Sequence, residues 1–313
     1  MMDEIYEPDV EYPPLTAGTV LAPGYRVIEH LHQSNNFDVY DVWSEERACR
    51  CIAKAPRQDL IEDEEVRRSL LREGRLLKKL THPHIARIYE VIKEPRPVLI
   101  LETLTGETLS YIIDTSPRRL PTSDIVYLGL HLCSAIHYLH GRGILHLDLK
   151  PSNIVSERQM AKILDLSIAR PPGTCKRGAG TPQYMAPEQV RGGHVSPATD
   201  VWGIGAVLFE AATARQPFNA TDEETDSESD TNPEDHPDSG SGGFETDTDL
   251  DSYEQVLRRA EPIRTYRRVP RTFANAVDSC LEPEPENRPT LSGLSGLLKE
   301  TLPGFEEPGG SRV

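Results

Sequence analysis

At 313 residues, 37% hydrophobic and 27% charged, the chain has the length and composition of a globular protein that buries a large core in two units, with no apolar run long enough to span a membrane. The formal charge of −16 is a local property: residues 221–252 hold thirteen Asp and Glu and no Lys or Arg, and the rest of the chain carries only −3. With no dominant basic field, no membrane span, and an acidic start that lacks the basic-then-apolar pattern of a secretory signal, nucleic acid and membrane are excluded as expected partners and the cytoplasm is the expected location.

The first part of the chain reads as strands. Residues 25–28, 37–43 and 49–54 are short, apolar and β-branched, set between turn-like stretches. A helix is expected over 63–80, where Val66, Leu70, Leu77 and Leu80 recur at helical spacing. Glu73 falls on that same inward face, and a carboxylate there requires a cationic partner, because an unpaired buried charge is costly. Residues 85–91 and 97–104 follow as strands, the second nearly continuous in apolar residues and so buried on both faces.

The second part reads as mostly helical. Ile125, Leu128, Leu132, Ile136 and Leu139 mark a helix over 124–140, with Pro121 and Thr122 as start signals. Residues 200–214 are apolar almost all round, the pattern of a helix buried on every side. Short strands are expected at 144–147, 154–155 and 163–166. From about 220 to 252 the composition is Asp, Glu, Ser, Thr, Gly and Pro, which cannot bury enough apolar area to offset ordering entropy, so a disordered acidic insertion is expected there. Strands first and helices after give an α+β protein of two lobes. The five cysteines are scattered, odd in number and free of any CxxC pair, which argues against a disulfide framework or zinc site, although Cys49 and Cys51 share one strand face.

The chemistry concentrates in His146-Leu147-Asp148-Leu149-Lys150-Pro151-Ser152-Asn153, followed by Asp165 in Ile163-Leu164-Asp165-Leu166-Ser167. Carboxylate and amide oxygens suit a hard cation such as Mg²⁺. Here the chain resembles the eukaryotic-type protein kinase family, whose catalytic loop reads HRDxKxxN and is followed by DFG. The resemblance implies that Asn153 and Asp165 hold the metal, that Asp148 orients the substrate hydroxyl and accepts its proton, and that Lys150 sits beside the γ-phosphate.

Upstream, Cys51-Ile52-Ala53-Lys54 resembles the VAIK strand. By that resemblance Lys54 pairs the α- and β-phosphates and Glu73, nineteen residues on, is its ion-pair partner. Val39, Ala53, Leu101, Glu102 and Leu104 are the further nucleotide-binding candidates, with 99–104 as the hinge and Leu101 as gatekeeper. Gly180-Thr181-Pro182-Gln183-Tyr184-Met185-Ala186-Pro187-Glu188 resembles the GTxxYxAPE segment, Asp200-Val201-Trp202 the start of the buried helix, and Arg288 the partner of Glu188. Lys150 with Ser152 matches kinases acting on serine and threonine.

The resemblance therefore implies a two-lobed protein kinase fold: a small antiparallel-β N-lobe with one key helix, at about 23–102, and a larger, mostly helical C-lobe, at about 103–304. Tails are expected at 1–22 and 305–313. The implied activity is Mg²⁺-dependent transfer of the ATP γ-phosphate to Ser/Thr hydroxyls of protein substrates. A pseudokinase binding module is the alternative, because the phosphate loop is degenerate. Counting back from Val39, its three glycine positions hold His32, Ser34 and Phe37, so weaker nucleotide affinity is expected. Leu147 replaces the arginine of HRD, so activity is expected not to depend on phosphorylation of Thr174 or Thr181, for want of a local cation to receive the phosphate. Leu166 and Ser167 stand for the Phe and Gly of DFG. The glycine loss beside an intact LKPSN suggests a divergent bacterial, soluble member. The acidic insertion is the candidate site for a regulatory partner, and it precedes a basic run of opposite charge, Arg258, Arg259, Arg264, Arg267, Arg268 and Arg271, as a candidate surface for it to fold back onto.

Overall fold

The computed structural model describes residues 12–218 and 253–302; the acidic insertion, the first eleven residues and the C-terminal tail lie outside the described residues. The described chain divides into two compact units, 12–80 with 87–103, and 81–86 with 104–218 and 253–302.

The first unit is a six-stranded antiparallel sheet with one helix. Its strands are β1 (Val20–Ala22), β2 (Tyr25–Gln33), β3 (Phe37–Ser44), β4 (Cys49–Pro56), β5 (Ile88–Ile92) and β6 (Val98–Leu101), in the order β1-β2-β3-β4-β6-β5. Alternation sorts the side chains by face. Tyr40, Val42, Cys51, Ala53, Ala55, Val98 and Ile100 join Leu21, Tyr25 and Val27 in a buried core on one side. Register puts Val39 opposite Lys54, and Ile52 opposite Leu101, on the other side. Helix α1 (Glu64–Leu77) covers that second face, its start capped by Asp63, whose side chain accepts from the N–H groups of Glu65 and Val66. A Cβ on Gly74 would lie 2.5 Å from Leu99 Cδ2 and 2.8 Å from Val91 Cγ2, so the helix backbone rests directly on the sheet one residue from Glu73.

Several boundaries differ from expectation: Val20–Ala22, expected in the N-terminal tail, form β1, the strand expected at 97–104 stops at Leu101, and the one expected at 163–166 runs Met160–Ile163. Strand β2 runs on to Gln33, because the β2–β3 hairpin closes only at Ser34 and Phe37. The strand expected from 85 begins at Ile88: Ile85 and Ala86 belong to the second unit, where Ile85 bridges Ile163 and the Ala86 N–H donates to Ile163 O at 2.8 Å.

The second unit is built around α5 (Pro197–Thr213), which is buried on nearly every side. It packs against α3 (Thr122–His140) and α8 (Arg271–Cys280), and α9 (Leu291–Glu300) packs on both of these. Shorter helices are α2 (Leu109–Thr115), α4 (Pro187–Arg191), α6 (Glu254–Leu257) and α7 (Ile263–Tyr266). Two small two-stranded antiparallel sheets complete it: the hairpin of β7 (Ile154–Glu157) with β8 (Met160–Ile163), and β9 (Gly173–Thr174) with β10 (His194–Val195). The strand expected at 144–147 does not form. Leu145 makes one bridge to Arg170, and at Leu147 the backbone turns to φ 69°, which a strand cannot contain. Among the described residues no helix is long and apolar enough to cross a membrane.

Candidate active site

In the first unit the sequence-derived pair is assembled. Lys54, on β4, donates from Nζ to Glu73 Oε2, on α1, at 2.9 Å, with only 12% and 2% of the side chains exposed. The Phe37 ring lies over the same ammonium, 5.0 Å from centroid to Nζ. Val39 is half-buried beside Lys54 in register, and Leu101 is buried at the end of β6. Glu102 is tied to Arg87: its Oε1 and its N–H bond the Arg87 backbone, both at 2.9 Å.

Ala53 is corrected. The pleat turns it away from Lys54 into the fully buried core, whereas Ile52, two residues before Lys54, shares the lysine's face and pairs with Leu101. Period-two counting along β4 carries that distinction.

In the second unit Leu104 is half-buried just beyond β6, and the catalytic-loop residues form one hydrogen-bonded cluster. Asp148 Oδ1 accepts from the Thr181 N–H at 3.0 Å and the Thr181 hydroxyl at 2.7 Å. Lys150 Nζ donates to Thr181 Oγ1 at 2.8 Å and lies 3.7 Å from Asp148 Oδ2. Both amide hydrogens of Asn153 go to Asp148, to its carbonyl O at 3.0 Å and its Oδ2 at 3.1 Å. The Asn153 carbonyl oxygen is thereby turned into the group's acceptor. Asp165 Oδ1 accepts from the Ser167 N–H at 2.7 Å, which fixes that carboxylate against its own turn.

The loop that presents these groups is held from α5. Asp200, wholly buried, accepts from the N–H groups of His146 at 2.9 Å and Leu147 at 2.8 Å, and bonds His140 Nε2 at 2.7 Å. Gln189 Nε2 donates to Leu147 O at 2.9 Å. These bonds hold Leu147 in its left-handed conformation. The His146 ring accepts from the Asp148 N–H at 3.2 Å through Nδ1, and burial lowers its pKa, so it is a neutral prop. Thr181, Asp200 and Gln189 reach this cluster from far along the chain, which local spacing does not reveal.

The segment after Asp165 is fastened by apolar contact. Leu147 packs with Leu145, Cys175 and Val195, with Ile168 against them. Arg170 donates to Thr174 O at 3.0 Å, so a cation does lie beside Thr174, contrary to the sequence expectation. Glu188 and Arg288 form the expected buried bidentate pair, at 2.7 and 2.9 Å. Of the basic run, Arg258 pairs with Glu254, Arg259 with Glu282, and Arg267 donates to Ala212 O and Leu120 O; Arg264, Arg268 and Arg271 are exposed.

Comparisons with known proteins bear on the family and the fold. The family model of the protein kinase domain matches residues 25–298. The DNA damage-responsive serine/threonine-protein kinase RqkA of Deinococcus radiodurans is 30% identical over 66% of this chain and 32% of its own length. The serine/threonine-protein kinase PknB of Mycobacterium tuberculosis is 33% identical over 53% of this chain and 28% of its own. The serine/threonine-protein kinase RUNKEL of Arabidopsis thaliana is 34% identical over 59% and 15%. The chain thus spans a third or less of the length of these curated relatives. The Mycobacterium tuberculosis PknI kinase domain superposes with a TM-score of 0.68 over 92% of this chain and 99% of that one; at 20% identity it speaks to the two-lobed α+β fold. The chain belongs to the protein kinase family.

Proposed function

We propose that this chain is a Mg²⁺- and ATP-dependent protein serine/threonine kinase that phosphorylates Ser and Thr hydroxyls of protein substrates. The observation that carries the reading is the Asp148–Thr181–Lys150–Asn153 cluster: the Asp148 carboxylate bonds the Asn153 amide and the Thr181 hydroxyl, which in turn accepts from the Lys150 ammonium. Protein kinases use ATP and Mg²⁺, and the donor set fits them. Asn153 offers an oxygen because its nitrogen is committed, and Asp165 offers a fixed carboxylate. When bound, Mg·ATP supplies the transferable phosphoryl group and a metal that offsets its charge. Lys54, braced by Glu73, binds phosphate oxygens; Asn153 and Asp165 hold the metal. Val39, Ile52, Leu101, Glu102 and Leu104 receive the base. Lys150 stabilises charge at the transferring group. Asp148 accepts the hydroxyl proton of the substrate, and Thr181 marks where that hydroxyl is received.

The test is transfer of radiolabel from ATP to a generic protein substrate, run beside Lys54→Met and Asp148→Asn. The unaltered chain should label the substrate, and each variant should lose about a hundredfold or more. Nucleotide binding without transfer in the unaltered chain would overturn the enzymatic reading. For regulation, the charge of the acidic insertion is the support: a partner acts there, and Arg264, Arg268 and Arg271 are exposed cations that its carboxylates would meet.

A further inference from the structure

Phe37 stands where the family pattern has its third loop glycine, and it is the one loop substitution that brings a side chain onto the chemistry. The ring is buried, and its centroid lies 5.0 Å from Lys54 Nζ. That ammonium is also bonded to Glu73 at 2.9 Å. An aromatic face carries a negative quadrupole and attracts a cation, more strongly where water is scarce.

The surrounding turn keeps the ring in place. Ser34 N–H donates to Phe37 O at 2.8 Å, Ser34 Oγ donates to the same oxygen at 3.1 Å, and Phe37 N–H donates to Ser34 Oγ at 3.2 Å. Arg57 anchors the tip through Asn36 O at 3.1 Å and Asn35 O at 3.4 Å. His30 and Gln33 clamp Asp38, the next residue, at 3.0 and 2.9 Å. The N–H groups of residues 34 and 37, which a glycine loop would direct at phosphates, are thus used within the turn.

We propose that Phe37 sets the nucleotide affinity of this chain by competing with phosphate oxygens for the Lys54 ammonium. The inference rests on the kinase reading only for the identity of the anion that Lys54 meets. The ring holds Lys54 toward Glu73 and takes up the face of the charge that an incoming anion needs, so binding carries the cost of breaking the cation–ring contact. Weak nucleotide binding then has a definite cause in one side chain, beyond the loss of glycine.

Two conservative replacements separate the electrostatic role from packing. Phe37→Leu keeps an apolar filler and removes the aromatic face; Phe37→Tyr keeps both. Mg·ATP binding is measured by calorimetry on the full chain, together with KM and kcat for phosphotransfer. Phe37→Leu should bind about threefold to tenfold tighter, with KM for ATP falling in parallel and kcat moving less than KM. Phe37→Tyr should match the parent. Binding by Phe37→Leu that equals or falls below the parent overturns the proposal, as does the absence of detectable binding in all three. Should Phe37→Leu fail to fold by its nucleotide-free denaturation curve, Phe37→Met takes its place under the same criteria. A parent that binds nucleotide and transfers nothing defeats the kinase reading instead, and leaves the affinity comparison standing.

Discussion

At Leu147 an apolar side chain occupies the position where the family pattern places a cation. The segment after Asp165 is instead held by burial: Leu147, Leu145, Cys175 and Val195 share one cluster, and the Cys175 N–H donates to Gly193 O at 3.1 Å. A fully buried aliphatic side chain contributes about 1.5–3 kcal/mol, so this cluster orders the segment without a phosphate. Thr174 is exposed and uses only its backbone in the β9–β10 pair, so Thr174→Ala should keep its initial rate within about twofold of the parent. Thr181 differs, because its hydroxyl joins Lys150 to Asp148. Thr181→Val removes hydrogen bonds to two charged groups and should lose about tenfold or more, whereas Thr181→Ser should recover the rate. Radiolabel incorporation by the three variants checks this; inactivity of Thr174→Ala would show that a phosphate is needed after all. That Asp148, Lys150 and Asn153 lie together was legible because they fall in one short stretch matching the family motif. The bonds from Asp200 that shape that loop span 53 and 54 residues, and no local pattern predicts them.

Among elements, helices α1 and α3 were legible from their apolar period and α5 from being apolar almost all round, whereas residues 81–86 were not, because tertiary contacts decide them. There the chain leaves the first unit, and its two histidines pack in the second unit beside a third from α3. His84 stacks on His131 with centroids 4.2 Å apart, and His82 lies 4.9 Å from the Tyr138 ring. Backbone partners set their protonation. Ala161 N–H donates to His131 Nδ1 at 3.3 Å, His84 N–H donates to His82 Nδ1 at 3.2 Å, and His84 Nδ1 donates to Ala161 O at 2.8 Å. A proton on either accepting nitrogen would set donor against donor, and Lys162 and Arg142 add positive charge nearby. Burial lowers the pKa of all three, that of His131 to about 4. An unfolded imidazole titrates near about 6.5, so in the window below that value and above about 4 the unfolded chain binds more protons. The stability these neutral rings contribute is complete above the window and lost as pH falls through it. Urea midpoints at pH 7.5 and 5 should therefore differ for the parent and differ less for His131→Leu; equal differences would remove His131 from the account.

At the scale of the molecule, charge and fold are separable. Thirteen carboxylates lie in residues 221–252, yet the chain on both sides of that stretch is anchored in the second unit by its own contacts. Phe218 stacks on the buried Trp202 at 5.4 Å with rings 6° from parallel, and the Arg258 guanidinium lies over the Phe218 ring, 5.7 Å from its centroid. Gln255, on α6, donates to Pro182 O at 2.8 Å and Met185 O at 3.3 Å, tying the far end to the segment that follows Thr181. None of these contacts draws on residues 221–250. Their deletion should leave the thermal midpoint within about 2 °C of the parent, since a shift of that size in a chain this long corresponds to well under the loss of one core contact. The deleted protein should elute earlier from an anion exchanger, having shed most of its net negative charge. If the carboxylates meet Arg264, Arg268 and Arg271, the phosphotransfer rate of the parent should vary with ionic strength more than that of the deletion, because exposed pairs are screened over about 8–10 Å at physiological salt. Identical rates and identical salt dependence would remove the regulatory reading, and a lowered midpoint would instead make the acidic stretch part of the fold.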